Sequence, residues 1–313
     1  MSAETVLPQV PLVLAPLRGV TILAFRRVFA APLREAGFTL AYSPFVSATS
    51  DAAPGGSSLA DILGDQPLPL VPQVIGKKPS AVAAVLRAFK DAGYSRADLN
   101  AGCPFPMVRR KGRGSGLLDN PDLLARLCET GVKEMGEGNF SVKVRLGVKD
   151  PFTLERRVMP VLNSFPLACV TIHARTAEQM YSGAVDMERW IAAAAMSRNP
   201  VVYNGDVFTG GFEPRFPAQA RPCALMAGRG AVAMTGRRED SAQLALAYME
   251  ESERELSGPA PVLGRMKELL AYWKALPRWR RVWPLAKISR TLAELRAAIA
   301  RVTVPEGPEV LES

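Results

Sequence analysis

Residues 120–146 read NPDLLARLCETGVKEMGEGNFSVKVRL, a helical pattern that runs into a short β-rich one. Asn120 is placed to cap a helix, and Pro121 falls at the first helical position, where its missing N–H costs nothing. The pattern predicts a helix over Pro121–Met135 and then a strand over Ser141–Leu146. Working outward, comparable runs occur at Leu12–Ala15, Leu40–Val46, Leu70–Ile75, Ala97–Ala101, Ala168–His173, Pro200–Tyr203 and Ala224–Ala227. They are spaced roughly 30 residues apart, as repeated βα units are. Another helical pattern, Ser80–Ala92, lies between two of them. Eight such units predict an α/β fold, a TIM (β/α)8 barrel. A doubly wound sheet is the alternative, but the GxGxxG turn usual after its first strand is missing.

After about Asp240 the β signal stops. Ser241–Leu256, Pro261–Ala275 and Pro284–Val302 read as amphipathic helices, interrupted at Gly258-Pro259 and by Pro277. The expected organisation is a barrel over residues 1–240 and a small all-helical domain over 241–313.

Mean hydropathy is +0.05 with 22% charged residues, which fits neither a disordered nor a membrane chain. The opening segment, Met1–Pro16, has no basic residue ahead of its apolar run, unlike a secretory signal. The four cysteines are far apart and the one histidine, His173, cannot make a multi-histidine centre, so neither disulfides nor a metal are expected. A cytoplasmic monomer that touches no membrane is the expectation. Net charge is +9, and Pro261–Thr303 alone holds ten Arg/Lys against two acids, so the basicity belongs to the tail. Such a tail points to a polyanionic partner.

Barrel enzymes carry their chemistry at the C-terminal ends of the strands. Polar residues collect there: Pro16-Leu17-Arg18, Gln73, Asn100 to Cys103, Lys143 and Arg145, His173 and Arg175, Asn204-Gly205-Asp206, and Gly228-Arg229. The last two groups follow strands seven and eight, where barrels bind phosphate. Lys143 interrupts an apolar strand, which is costly unless it meets an anion or a polar ligand. Cys103 sits in a turn just past a strand, before the glycine-rich basic loop 109–116, where a thiol can act as nucleophile or acid. The other cysteines read as inert packing.

Taken together, APLRGVT (15–21), PQVIG (72–76), DLNAGCP (98–104), GRGSGLL (112–118), SVKVRLG (141–147), IHARTAEQMYSG (172–183), NGDVFT (204–209) and LMAGRGAV (225–232) resemble the dihydrouridine synthase family. The tail looks most like its bacterial C-type subfamily. The resemblance implies a bound FMN that NADPH reduces, hydride transfer to C6 of a uracil in tRNA, and protonation of C5 by a cysteine, which falls on Cys103. It assigns FMN contacts to Pro16, Leu17, Arg18, Gln73, Lys143, His173, Asn204, Gly205, Asp206, Gly228 and Arg229. Substrate contacts fall to Asn100, Arg145 and Arg175. Arg18 stands where the family usually has an acid or small residue, and Gly210–Pro222 replaces what is normally a helix.

A uridine in folded tRNA must be flipped out to reach the flavin, so a separate RNA surface is needed. Arg278, Arg280, Arg281 and Lys287 are the candidates for phosphate contact. Trp273, Trp279 and Trp283 either stack on bases or form a helical core. Two other readings compete. One is a ribosomal RNA target; the other is a flavin barrel that reduces a free pyrimidine or an enone, which has no use for a basic tail.

Overall fold

The computed structural model describes residues 10–209 and 215–303. The start of the Met1–Pro16 segment, the beginning of Gly210–Pro222 and the end of the helical tail lie outside the described residues.

Eight staves form one parallel sheet. They are β1 (Leu12–Leu14), β2 (Phe38–Tyr42, resuming at Val46–Ser47), β3 (Leu70–Val71 and Gln73–Ile75), β4 (Ala97–Ala101), β5 (Phe140–Arg145), β6 (Val170–His173), β7 (Val201–Asn204) and β8 (Ala224–Ala227). Pro72 interrupts β3 because it has no N–H to give the ladder. The first part of β2 pairs with β1 and with Leu70–Val71, and its second part pairs with Gln73–Ile75. β8 pairs with β1, so the ring closes with every pairing parallel. The predicted TIM barrel is the observed fold.

The outward-facing strand positions are apolar, as at Leu99, Val142, Val144, Ile172 and Tyr203, because helices cover that face of the sheet. The helix Pro121–Met135 shows how the sequence makes this layer. Asn120 Oδ1 accepts the Leu123 N–H at 3.0 Å, and Gly136, at φ +91°, ends the helix. Leu124, Leu127, Cys128, Gly131 and Met135 form the buried face. A Cβ at Gly131 would lie 2.0 Å from the Phe140 ring, so only glycine lets helix and strand approach this closely.

The tail comprises helices Ser241–Glu255, Pro259–Trp273, Pro277–Arg280, Trp283–Ile288 and Leu292–Ala300. The single helix expected over Pro284–Val302 is two. Thr291 Oγ1 accepts from Glu294 N at 3.1 Å while Glu294 Oε2 accepts from Arg290 N at 2.7 Å, a reciprocal cap that starts a new helix. Trp273 and Trp279 are core residues, not stacking platforms. Both are fully buried, their indole N–H groups donating to the Val232 and Gly236 carbonyls. One apolar cluster runs from the barrel helices into Leu269, Trp273, Trp279 and Leu295, across the division expected at residue 240. Tyr248 of the tail packs on Phe25 and Phe29, with ring centroids 6.3 and 5.9 Å apart.

Candidate active site

A cavity of about 770 Å³ opens over the C-terminal ends of the strands. Its walls carry six Arg or Lys (Arg18, Lys111, Arg113, Lys143, Arg145, Arg229) against two acids, Asp206 and Glu268, so it favours an anionic occupant. Of the expected cofactor contacts, Pro16, Leu17, Arg18, Lys143, His173, Asn204, Gly205, Asp206, Gly228 and Arg229 line it. Cys103, Asn100 and Arg145 line it too, whereas Gln73 and Arg175 are buried behind its wall.

Below the cavity the barrel lumen is polar along β3, β4 and β5, where successive inward positions are Gln73, Asp98, Asn100, Ser141 and Lys143, and apolar where Val13, Tyr42, Val202 and Met226 pack together. The Asp98 carboxylate accepts from Gln73 Nε2 at 2.7 Å and from Ser141 Oγ at 2.6 Å. Gln73 Oε1 accepts from Asn100 Nδ2 at 2.7 Å. Asn100 Oδ1 in turn accepts the backbone N–H groups of Gly102 and Cys103, at 3.2 and 2.8 Å. Gln73 and Asn100 therefore spend their side-chain amides on a relay that fixes the Cys103 turn. Burial pushes the Asp98 carboxyl up to about 6, while Ser141, Gln73 and Lys143 favour its ionised form.

Ser115 holds the turn from the other side, donating through N and Oγ to the Cys103 carbonyl at 3.1 and 2.9 Å. A Cβ at Gly114, which has φ +56°, would lie 2.8 Å from Cys103 Cβ. Glycine is required there for both conformation and space. Burial raises the Cys103 thiol above its ordinary value of 9.0, against the Phe105 N–H, Arg145 and Arg18, which favour the thiolate. The sulfur is thus a protonated thiol at neutral pH. Arg145 donates to the carbonyls of Gly102, Thr176 and Met180 at 3.0, 2.9 and 2.7 Å, tying the cysteine turn to the loop after β6.

Lys143 Nζ donates to Asn204 Oδ1 at 2.6 Å on the cavity floor, and Asn204 Nδ2 donates to the Met226 carbonyl. Burial, reinforced by Arg145, lowers this ammonium to about 7. His173 is driven well below its ordinary value, first by burial and then by Arg145, Lys143, Arg175 and Arg229, so its imidazole is neutral. Arg175 grips Asp206 with two bonds of 3.0 and 2.5 Å, and Arg229 reaches the same carboxylate at 3.0 Å. Arg229 and Arg145 both lie over the Tyr181 ring, 4.8 and 5.4 Å from its centroid. A Cβ at Gly230 would lie 2.0 Å from the Val207 carbonyl oxygen, and this close approach draws the loops after β7 and β8 together.

Tyr181, Phe105, Met107, Glu268 and Tyr272 also line the cavity and were not among the sequence candidates. Glu268 and Tyr272 come from the helix Pro259–Trp273, and only its docking on the barrel brings them here. Arg278, Arg280, Arg281 and Lys287 are exposed on the tail, away from the cavity lining. Other tail cations are partly spent: Arg265 pairs with Glu255 and Arg296 with Glu253, each at 2.7 Å.

The family model for dihydrouridine synthase matches residues 13–255. A probable tRNA-dihydrouridine synthase of Rhodobacter capsulatus is 30% identical over 248 residues, covering 79% of this chain and 74% of the relative. A tRNA-dihydrouridine(16) synthase of Cupriavidus necator is 30% identical over 324 residues, covering 93% and 92%. Among solved structures, the old yellow enzyme homologue from Zymomonas mobilis aligns with 71% of this chain and 85% of its own, at 13% identity and TM-score 0.49. Matched by the family model over most of its length and by a relative over nearly all of it, this chain belongs to the dihydrouridine synthase family.

Proposed function

We propose that this chain is an FMN-dependent tRNA-dihydrouridine synthase that reduces the C5–C6 double bond of a D-loop uridine, with NADPH as reductant. The observation that carries the reading is Cys103, a protonated thiol in the wall of a cationic cavity at the strand ends. Position 16 is the target we favour, because the relative matched along nearly the whole chain, tail included, bears that number in its name.

The cavity residues fit FMN. A volume of about 770 Å³ lies within the range of cofactor sites. The closely packed loops after β7 and β8 bring Arg229 and bare glycine backbone to the place where barrels hold phosphate. Lys143 and Asn204 would face the ring system from the floor. When bound and reduced, FMN supplies the hydride for C6 of the uracil. This chain's residues supply the rest. Cys103 holds the proton for C5 on Sγ, the Asn100 relay fixes its turn, and the neighbouring cations offset charge that develops on the ring.

Lys143 gives this reading a pH signature. Its ammonium is disfavoured in the empty cavity and favoured once a polar or anionic ligand accepts from it, so binding takes up a proton. FMN affinity of the apoprotein is expected to be highest below pH 7. It should fall through and above pH 7, by up to about tenfold per pH unit. Quenching of flavin fluorescence from pH 6 to 9 measures this. An affinity that rises across that range removes Lys143 from the flavin contacts.

For the RNA surface, the triple variant Arg278→Glu, Arg280→Glu, Arg281→Glu is expected to weaken tRNA binding. It should also reduce the slope of log K against log salt by about 2 to 3, since each lost phosphate contact removes about 0.7–0.9. An unchanged slope places docking elsewhere.

A further inference from the structure

We propose that Phe105 and Met107 form an RNA wedge that stacks on the nucleotides flanking the target uridine as it leaves the base stack; this rests on the tRNA reading above. Both side chains line the cavity, yet Phe105 is 49% and Met107 79% exposed, among the most exposed large apolar side chains of the described residues. The backbone beneath them is held. Val108 and Arg109 donate their N–H groups to the Phe105 carbonyl at 2.9 and 3.0 Å, and Pro106 stiffens the turn. The root of the loop is held by the Asn100 and Ser115 bonds to Cys103. Phe105 has its backbone N–H directed at the Cys103 sulfur while its ring is left in solvent. The thiol and the apolar tip therefore share one rigid turn, two residues apart.

The surroundings select a nucleic acid as the occupant. Arg110 and Lys111, just beyond the tip, are exposed and carry no ion pair among the described residues. Arg113 lines the cavity with a buried Nε that has no hydrogen-bond partner among the described residues. Its unmet donor calls for an acceptor from a ligand. A base offers a flat apolar face with a phosphate one bond series away, which matches an apolar tip followed by cations. A second copy of this chain would bring the same cations against each other. Proteins that unstack bases commonly insert apolar side chains into the step they open.

The test uses the full chain and an unmodified tRNA transcript carrying 2-aminopurine beside the target uridine. The double variant Phe105→Ala, Met107→Ala is expected to bind this tRNA about tenfold or more weakly. It should lose the 2-aminopurine fluorescence change and keep the wild-type salt slope, because no phosphate contact is removed. Phe105→Tyr should restore the fluorescence change, and a melting temperature near wild type confirms that the variants fold. Wild-type affinity and fluorescence in the double variant overturn the wedge. So does a reduced salt slope, or a dimer of the wild-type chain that the double variant loses. If the wild-type enzyme forms no dihydrouridine in the same tRNA, the functional reading falls and takes the wedge with it. A wild-type enzyme that does, matched by its double variant, sinks the wedge alone.

Discussion

Cys103→Ala is expected to lower dihydrouridine formation on tRNA by about 10²–10⁴-fold, the usual contribution of a positioned general acid. The backbone of the turn is held by Asn100 and Ser115 through main-chain groups, so removing the sulfur leaves the loop in place. The variant should still take up FMN. A second readout follows from the direction in which burial moves the thiol. An acid must be protonated to act, and this one titrates above its ordinary value of 9.0, so turnover of the wild type with FMN kept saturating should hold to pH 9 and fall only beyond it. Mass-spectrometric quantification of dihydrouridine in a tRNA transcript checks both. Full activity of Cys103→Ala would remove the residue from the chemistry. A fall in wild-type turnover centred near pH 7 would assign the limb to another group.

Trp273→Ala is expected to destabilise the protein by about 3–5 kcal/mol, the range for deleting a fully buried large aromatic side chain. The indole fills the junction between the helix Pro259–Trp273 and the helix after β8. A Cβ at Gly236 would lie 2.4 Å from its ring, and Phe29 and Trp279 meet it at 6.1 and 4.7 Å between centroids. Truncation opens a cavity there and removes one of two donors to the buried Val232 carbonyl, which keeps the Thr235 hydroxyl at 2.7 Å. At about 2–4 °C per kcal/mol for a chain of this size, the melting temperature should fall by roughly 6–20 °C. Because Glu268 and Tyr272 ride on the same helix, the mouth of the cavity loosens with it. A melting temperature within a degree or two of wild type would mean that the tail is held by other contacts.

The strands were legible where burial on both faces left a short apolar run, as at Ala224–Ala227, or where apolar and polar residues alternate, as at Ala97–Ala101. The helix Pro121–Met135 was legible to the residue because Asn120 and Pro121 mark its start and the buried positions recur at helical spacing. Less visible was the break at Ser289–Arg290. Its signal, Thr291 followed three residues later by Glu294, lies inside an otherwise continuous helical pattern. The tryptophans show a different limit. An aromatic in a basic helix has the same sequence signature whether it faces RNA or packs on a barrel, and only the position of Val232 and Gly236 distinguishes the two.

Cys103 and Lys143 stood out from the chain alone because each breaks a local rule: a thiol in a turn past a strand, a charge inside an apolar run. Local chemistry of this kind is carried by neighbours along the chain, and a single sequence contains those neighbours. The tertiary structure decided what each polar group is bonded to. Gln73 and Asn100, 27 residues apart, meet at 2.7 Å and so serve the cysteine turn; Arg175 and Asp206, 31 apart, meet as an ion pair. Glu268 and Tyr272 reach the cavity from a helix that begins after the last strand. Barrel closure and the docking of the tail set these contacts, and the free energy that drives both is apolar burial, which specifies which face turns inward but not which polar atom it meets.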